Sequence, residues 1–451
     1  MSNIKVFHKS VQGTSHIASG KPCQDYSVSL DRDGIQVAVV CDGHGGKTYV
    51  RSDIGAKIAA EITKEILFNF GRCTPDSTFV GRSFSITAKP KHNPFVDTNG
   101  TILRFDDLDE TQKQYAKQAQ AYLEAESNCI EQQKVINELI DRIYTSWLSA
   151  IEKDRSENQF NKKELKALAG QDIAKAYGCT LLAFLKTEKY WLAFQIGDGS
   201  IYCCDQKMSW EKPVPDDCSC FLNYTTSLCD LNPLTEFRYA FSGVGDTPLA
   251  VILCSDGVDG SLHTKESLQD FYDQIIGLHL DGDDVDKELT DYLPTLSANG
   301  NKDDVSLAGI VDLTDYNMSD LKKAIDIKKK ERCISNEYRS RKYEIDAINA
   351  KIETLGIKLE RLENARCMKR CELDELRKSI KTKEKEVADL DGSVDAIKKE
   401  IEELGASLEA KRTDFEGWKF TTKNEMAELE IKQNETEEKG SGEKPTDYTS
   451  W

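Results

Sequence analysis

The chain has 451 residues, with 60 Lys and Arg against 78 Asp and Glu, so its formal net charge is −18. An acidic surface repels phosphate backbones, which argues against nucleic acid as the main partner. No apolar run is long enough to span a membrane and the N-terminus has no apolar signal core, so we expect a cytoplasmic protein without a membrane contact. A length above 400 predicts more than one domain.

The charge is unevenly distributed along the chain. Residues 319–451 hold 29 basic and 31 acidic side chains, so residues 1–318 carry −16 and the remainder only −2. This contrast predicts an acidic globular domain over 1–318 followed by a charge-dense but balanced segment.

The 14 cysteines predict thiols rather than disulfides. Many stand inside apolar runs, and no paired CxxC motif occurs, which favours small buried thiols in a reducing compartment. A zinc site on Cys218 and Cys220 is the alternative, although two further well-spaced ligands are missing.

Short apolar runs predict the strands of the first domain. They are bounded by Gly, Asp or Ser and lie at 35–42, 180–186, 190–198, 200–205, 236–242, 248–257 and 305–312. Amphipathic patterns predict helices at 48–69, 110–126 and 129–153, and the polar stretch 71–106 reads as a long loop within an insertion of about 71–165. Runs of strands and helices without strict alternation predict an α+β fold with layered antiparallel sheets.

A heptad pattern predicts a long α-helical coiled coil within 319–432, followed by a disordered tail at 433–451. Of 22 a and d positions between Ile345 and Trp418, 18 are apolar, in one unbroken register of 74 residues. A single solvated helix with charge pairs is the alternative, but it leaves the apolar seam unexplained. The pattern leaves open whether the seam pairs with another chain or folds back on itself, and it includes the charged residues Arg366, Lys369, Lys383 and Lys411.

Four aspartates lie at the ends of predicted strands. Asp42, Asp198 and Asp256 each follow an apolar run, and Asp303 directly precedes one. The start of a strand lies beside the end of its antiparallel neighbour, so all four can gather at one edge. Carboxylates packed together raise each other's pKa, and oxygen-only donors suit Mg²⁺ or Mn²⁺.

Six motifs in order resemble one family. GTSHIASGKPCQD, DGHGG, YGCTLLAF, IGDGS, CSDG and KDDVSLAGIV are similar to the metal-dependent protein phosphatases, the type 2C Ser/Thr phosphatases, and most of all to bacterial members. The resemblance covers about 12–312. It implies an α-β-β-α layered sandwich and hydrolysis of phosphoserine or phosphothreonine by a water that two Mg²⁺ or Mn²⁺ ions activate.

The resemblance also implies roles for individual residues. Asp42 resembles the carboxylate that bridges the two metals, and His44 resembles the group that protonates the leaving oxygen. The remaining implied metal-site residues are the carbonyl ligand Gly43, the outer ligands Asp256 and Asp303, the second-shell acid Asp25 and, for a third ion, Asp198.

Two positions depart from the family pattern. Family members commonly have a phosphate-binding Arg where this chain has Gly20, and Lys21 or His16 is the predicted substitute. They often have a further Asp where this chain has Gly260, with Asp259 one residue earlier, which puts the third-metal site in question.

The predicted function is a metal-dependent protein-serine/threonine phosphatase that is tethered or oligomerised through its coiled coil. A signalling role, a phosphorylated protein substrate and a counterpart Ser/Thr kinase follow from the resemblance. A non-catalytic phosphoprotein-binding or signalling scaffold is the main alternative, and a phosphatase for small phosphoesters is another.

Overall fold

A computed structural model describes residues 3–84, 102, 104–216, 225–314, 316–376 and 383–421. The chain divides into two compact units, Met1–Lys330 and Glu331–Trp451. This division falls within one long helix, past the predicted domain end at 318. Each unit is described by itself below.

The first unit contains two antiparallel sheets. The first sheet has the strand order β1-β11-β10-β7-β8 and the second β2-β3-β5-β6-β9-β4. The strands are β1 (Ile4–Val11), β2 (Tyr26–Arg32), β3 (Ile35–Cys41), β4 (Ser83–Phe84), β5 (Leu181–Lys186), β6 (Trp191–Ile196), β7 (Ser200–Cys204), β8 (Trp210–Glu211), β9 (Arg238–Ser242), β10 (Ala250–Cys254) and β11 (Val305–Asp312).

The α-helices flank these sheets and form the C-terminal unit. They are α1 (Thr14–Ser19), α2 (Ser52–Cys73), α3 (Glu110–Asn128), α4 (Ile130–Glu157), α5 (Lys162–Leu168), α6 (Asp256–Asp259), α7 (Lys265–Asp281), α8 (Val285–Asn299), α9 (Met318–Leu376) and α10 (Lys383–Thr421).

All seven predicted strands are present, and their sequences explain their positions. Every residue of β3, β5, β6 and β10 is buried. A strand covered on both faces has no solvent side, so its sequence is a continuous apolar run instead of an alternating one.

Three apolar clusters separate four layers. Between the sheets lie Ala38, Val40, Leu182, Phe184, Leu253 and Ile310. Helices α2 and α4 cover the outer face of the second sheet through Ala59, Leu67, Ile136, Ile140 and Trp147. Helices α7 and α8 cover the first sheet through Phe271, Tyr272, Ile276, Leu289 and Leu293. The predicted α-β-β-α sandwich is therefore confirmed.

Helix α4, from the predicted insertion, is part of the core. Trp147 is fully buried, and its indole Nε1 donates to the Gly55 carbonyl of α2 at 3.2 Å. The segment about 71–165 is therefore largely helical and integral to one layer, while residues 85–101 and 103 lie outside the described residues.

Eleven cysteines fall among the described residues that have assigned burial, and all are free thiols, in keeping with the expected reduced state. The alternative zinc pair, Cys218 and Cys220, lies outside the described residues. Within the described ranges, no helix has the length and hydropathy needed to cross a membrane.

The C-terminal unit consists of most of α9 together with α10, and the two helices run antiparallel. Lys411 pairs with Glu344, Lys398 with Glu363 at 3.9 Å, and Arg366 with Asp391 at 3.4 Å. As residue numbers fall along α10 they rise along α9, which is the pattern of a helical hairpin within one chain.

The predicted seam lies between these two helices. Val394 is fully buried, and Leu355 and Ile397 are also buried. The predicted seam positions between Ile345 and Leu408 that have assigned burial are all less exposed than most of their neighbours. Arg366 in the seam is paired with Asp391, which offsets part of the cost of placing a charge there. The predicted tail at 433–451 lies outside the described residues.

A fold-back seam is satisfied within one chain, so we expect the full-length protein to be a monomer by light scattering. Val394→Asp places a charge in the seam and should remove helical circular dichroism at a lower temperature than in the wild type. Asp at Lys399, which is 78% exposed on the same helix, is the matched control and should have little effect. A dimer that dissociates in the Val394→Asp variant would contradict the hairpin.

Candidate metal and phosphoester site

The topology brings the four predicted aspartates to one end of the sandwich. Strands β3 and β6 both pair antiparallel with β5, so they run in the same direction and deliver Asp42 and Asp198 to the same edge. In the other sheet β10 pairs with β11, with Cys254 opposite Leu307, so Asp256 follows one strand beside Asp303, which precedes the other.

The carboxyl groups of Asp42 and Asp256 connect the two sheets. Burial raises the pKa of Asp42 well above its ordinary range, and the charges of Asp25, Asp256 and Asp198 raise it further. Burial also raises the pKa of Asp256, to about 6, although a hydrogen bond from Asp42 lowers it. A hydrogen bond joins the two carboxyl groups, as expected for neighbouring acids that are costly to ionise together without a cation.

Asp25 is a third buried acid of this group. Its pKa is raised mainly by burial and next by Asp304, while a hydrogen bond from Ser255 partly offsets the rise. Its Oδ2 is buried and has no hydrogen-bond partner among the described residues. A buried carboxylate oxygen without a donor is costly, so this atom fits a site that a cation or its water completes.

Asp304, which the sequence prediction did not use, holds the N-terminal loop in place. Its buried carboxylate accepts hydrogen bonds from the backbone N–H groups of Gly13 and Gln24, both at 2.6 Å. His16 Nδ1 lies 2.8 Å from the same carboxylate. The carboxylate of Asp304 is therefore occupied by hydrogen bonds from the backbone. The adjacent Asp303 is half-exposed and available as a ligand. The only sequence signal was that two acids stand together.

Two glycines allow backbone segments to meet at the site. A Cβ on Gly43 would lie 2.4 Å from the carbonyl oxygen of Gln24, and one on Gly257 would lie 1.9 Å from that of Asp304. The loop after β3 is further fixed because Thr180 Oγ1 accepts from the N–H of Asp42 at 3.0 Å. Any side chain at either glycine would push apart the segments that carry the carboxylates.

The backbone explains why Gly20 replaces the usual Arg. Gly20 ends α1 in the left-handed conformation, with φ +69°, and its N–H donates to the carbonyls at the end of that helix. A branched or long side chain would be strained there. Lys21 follows, is exposed, and donates from Nζ to the Gly45 carbonyl at 2.7 Å. His16, the other predicted substitute, is buried against Asp304 and 3.8 Å from Asp303.

Gly260 stands at the position of the expected third-metal aspartate, and a Cβ there would lie 2.7 Å from the side-chain amide of Asn301. The neighbouring Asp259 accepts a hydrogen bond from Ser200 and contacts Cys254. Asp198 remains close enough to the cluster to raise the pKa of Asp256.

His44 lies on the loop directly after Gly43. Its N–H donates to the Gly178 carbonyl at 3.1 Å, and its ring packs edge-on against Tyr49 with 4.7 Å between centroids. Burial, followed by the positive charge of Lys175, lowers the pKa of His44 to about 4. The ring is therefore neutral at pH 7 in the metal-free chain.

The donor set suits a hard divalent cation. The ligand atoms gathered here are carboxylate and carbonyl oxygens, which Mg²⁺ and Mn²⁺ prefer, and the carboxyls raise each other's pKa. As the side chains stand, no three His, Cys, Asp or Glu residues in the described part of the chain converge tightly enough to hold an ion. A cation here would offset the repulsion that raises the pKa values of these carboxyls.

The sequence matches the family model for protein phosphatase 2C over residues 12–81 and 111–294, which is more than half of the chain. The chain therefore belongs to the protein phosphatase 2C family. The unmatched stretch 82–110 falls inside the predicted insertion. No functionally curated protein matches the sequence.

Three solved structures to which this chain is similar share little sequence identity with it. A bacterial serine phosphatase is 13% identical, covers 70% of this chain and 100% of its own, and has a TM-score of 0.39. PppA, a regulatory component of T6SS in Pseudomonas aeruginosa, is 16% identical, with coverage of 68% and 97% and a TM-score of 0.37. The catalytic domain of the phosphatase PstP with two manganese ions is 13% identical, with coverage of 68% and 97% and a TM-score of 0.38.

The buried carboxyls predict how the stability of the metal-free chain depends on pH. Asp256 has a folded pKa of about 6 against 3.8, so the folded state binds more protons between these values and stability falls as pH rises through that window. The loss amounts to about 3 kcal/mol at pH 7. Asp256→Asn should remove this part of the pH dependence in thermal melts of the metal-free protein.

Mn²⁺ should raise the melting temperature of the wild type at pH 7 much more than that of Asp256→Asn. Asp286→Asn, at an acid that is 71% exposed, is the matched control and should respond to Mn²⁺ like the wild type. An equal Mn²⁺ response in all three proteins would contradict a metal site at these carboxylates.

Proposed function

We propose that the protein is a Mg²⁺- or Mn²⁺-dependent protein-serine/threonine phosphatase. The observation that carries this proposal is the contact between the carboxyl groups of Asp42 and Asp256, because two neighbouring acids from different sheets with raised pKa values favour a positive charge between them. Membership of the protein phosphatase 2C family supports the same conclusion.

In this proposal two ions are held by oxygen ligands of the loops after β3 and β10 and before β11. Asp42, Asp256, Asp303 and the Gly43 carbonyl would hold them, with Asp42 shared between the two. Bound ions of this kind neutralise a phosphate dianion and lower the pKa of a water. The orphaned Oδ2 of Asp25 is available to accept a hydrogen bond from water, and Asp198 is the candidate ligand for a third ion.

The chain also supplies groups for the substrate. Lys21 is the proposed cation for the phosphoryl group, because it is exposed and its ammonium already lies at the Gly45 carbonyl of the His44 loop. His16 supports it indirectly by holding the loop through Asp304. His44 donates to the leaving oxygen, and a bound phosphate dianion would raise its lowered pKa toward the range where that donation is effective.

The charge distribution favours a class of substrate. Residues 1–318 carry −16, so we propose phosphorylated proteins with basic residues around the phosphoserine or phosphothreonine. The helical hairpin is proposed to tether the catalytic domain to a partner, since its own seam is satisfied within the chain. A counterpart Ser/Thr kinase and a cytoplasmic location belong to this proposal, the latter supported by the free thiols.

The proposed reaction predicts Mn²⁺-dependent hydrolysis of a phosphothreonine peptide that EDTA abolishes. Asp42→Asn and Asp256→Asn should each lower kcat by more than about 100-fold, because each removes charge stabilisation at the reacting phosphorus. Phosphate release is the measurement, with Asp286→Asn as the control. Wild-type rates in both variants, or an inactive but phosphopeptide-binding wild type, would favour the non-catalytic scaffold.

The proposed role of His44 predicts a dependence on the leaving group. His44→Asn should lower kcat for a phosphothreonine peptide by about 100-fold, because a threonyl oxygen leaves poorly without a proton. It should change kcat for p-nitrophenyl phosphate by less than about 3-fold, since that leaving group is stable as an anion. Equal losses on both substrates would assign His44 a structural or metal-supporting role.

A further inference from the structure

We propose that Tyr49 is a positioning residue that fixes the imidazole of His44, and that Lys175 with Asp230 holds Tyr49 in place. This inference rests on the proposed phosphatase function. It concerns residues that the sequence did not mark, since Lys175 and Asp230 are far from the DGHGG loop along the chain.

The ring of His44 is oriented by packing instead of by hydrogen bonds. Neither ring nitrogen bonds to another residue in the part of the chain that the structure describes. Its aromatic neighbour among the described residues is Tyr49, whose plane makes 65° with the imidazole at 4.7 Å between centroids. A histidine in a reaction site usually has one nitrogen fixed by a carboxylate or carbonyl, so an aromatic edge takes over that role here.

Tyr49 is held between two glycines. A Cβ on Gly46 would lie 3.0 Å from Cδ2 of the ring, and a Cβ on Gly178 would lie 2.8 Å from Cδ1. The Cδ1 and Cδ2 edges of the ring therefore rest against backbone that carries no side chain. Gly178 is also the residue whose carbonyl accepts from the N–H of His44, so the same peptide segment positions the backbone of His44 and the ring beside it.

Lys175 contacts Tyr49 and pairs with Asp230. Its Nζ lies 5.5 Å from the centroid of the Tyr49 ring and 3.6 Å from Asp230. Asp230 is itself anchored, because its Oδ2 accepts from the N–H of Ser227 at 2.8 Å. Burial lowers the pKa of Lys175, but its contacts with Cys229, Tyr49 and Asp230 outweigh burial and leave that pKa raised. Lys175 is therefore a cation under all ordinary conditions.

These contacts form a continuous series from Asp230 through Lys175 and Tyr49 to His44. The cation lies within range of the tyrosine ring and hydrogen-bonds its hydroxyl, and the same ring packs against the imidazole. The ring provides the contact with His44, so Phe should keep that contact while losing the hydrogen bond to Lys175, and Leu should lose both.

The test compares Tyr49→Leu with Tyr49→Phe on two substrates. Tyr49→Leu should lower kcat for a phosphothreonine peptide by about 10-fold and for p-nitrophenyl phosphate by less than about 2-fold. Tyr49→Phe keeps the ring and loses only the hydroxyl, so it should change the ratio of the two rates no more than Lys175→Met does. In the His44→Asn background Tyr49→Leu should cause no further loss on the peptide, because both changes remove one function.

Two controls separate positioning from general destabilisation. Tyr292→Leu removes a tyrosine stacked on Phe271 in the other helical layer and should leave the ratio of rates unchanged. Lys175→Met keeps the length of the side chain without its charge and should act in the same direction as Tyr49→Leu, with a smaller effect. It also replaces the leucine variant if that protein does not fold.

A measurement without turnover tests the packing itself. Carbethoxylation of His44, followed by mass spectrometry, should be several-fold faster in Tyr49→Leu than in Tyr49→Phe or the wild type, because the ring loses its cover. Unchanged modification rates, equal rate losses on both substrates, or additive losses with His44→Asn would each overturn the inference. If the wild type has no activity at all, the proposed function fails while the modification rates still decide whether Tyr49 holds His44.

Discussion

The structure of the first unit depends on placing like charges together between two sheets. Asp42 follows a strand of one sheet and Asp256 follows a strand of the other, and their carboxyls meet where loss of solvent and the charges of neighbouring acids raise the pKa of both. Everything around them serves to hold this arrangement: apolar strands on both sides, glycines where backbones cross, and Asp304 securing the N-terminal loop. A fold optimised for stability alone would not gather these acids, so the cost of their repulsion indicates a cation.

The site can be divided by the element that supplies each group. The acids come from strand ends, which are rigid because every flanking strand residue is buried. The groups that would meet the substrate come from loops, namely Lys21 after α1 and His44 after β3. Loops need separate restraints, and the chain supplies them: a buried carboxylate for the first loop and a packed aromatic ring for the second.

Much of this arrangement could be predicted from the sequence because continuous apolar runs identify buried strands and place Asp42, Asp198 and Asp256 at their ends. Strands β1 and β2 were not predicted because their polar and apolar residues mix. Helices α7 and α8 were not predicted, although their sequences are amphipathic. The contact between Tyr49 and Lys175 could not be predicted from the sequence, because only the fold brings these two positions together. The heptad pattern located the seam but not its partner, because a seam within one chain and one between chains share the same periodicity.

The antiparallel course of α9 and α10 also determines which residues lie at each end of the hairpin. Lys411, near the end of α10, lies beside Glu344, in the half of α9 that is close to the start of the second unit. Arg366 and Asp391 instead lie beside each other far along the same pair of helices. A fluorophore at residue 344 would therefore report on the base of the hairpin, and one near 370 would report on its far end, roughly 40 Å away at about 1.5 Å per residue. Energy transfer between two such labels measures the straightness of the arm directly.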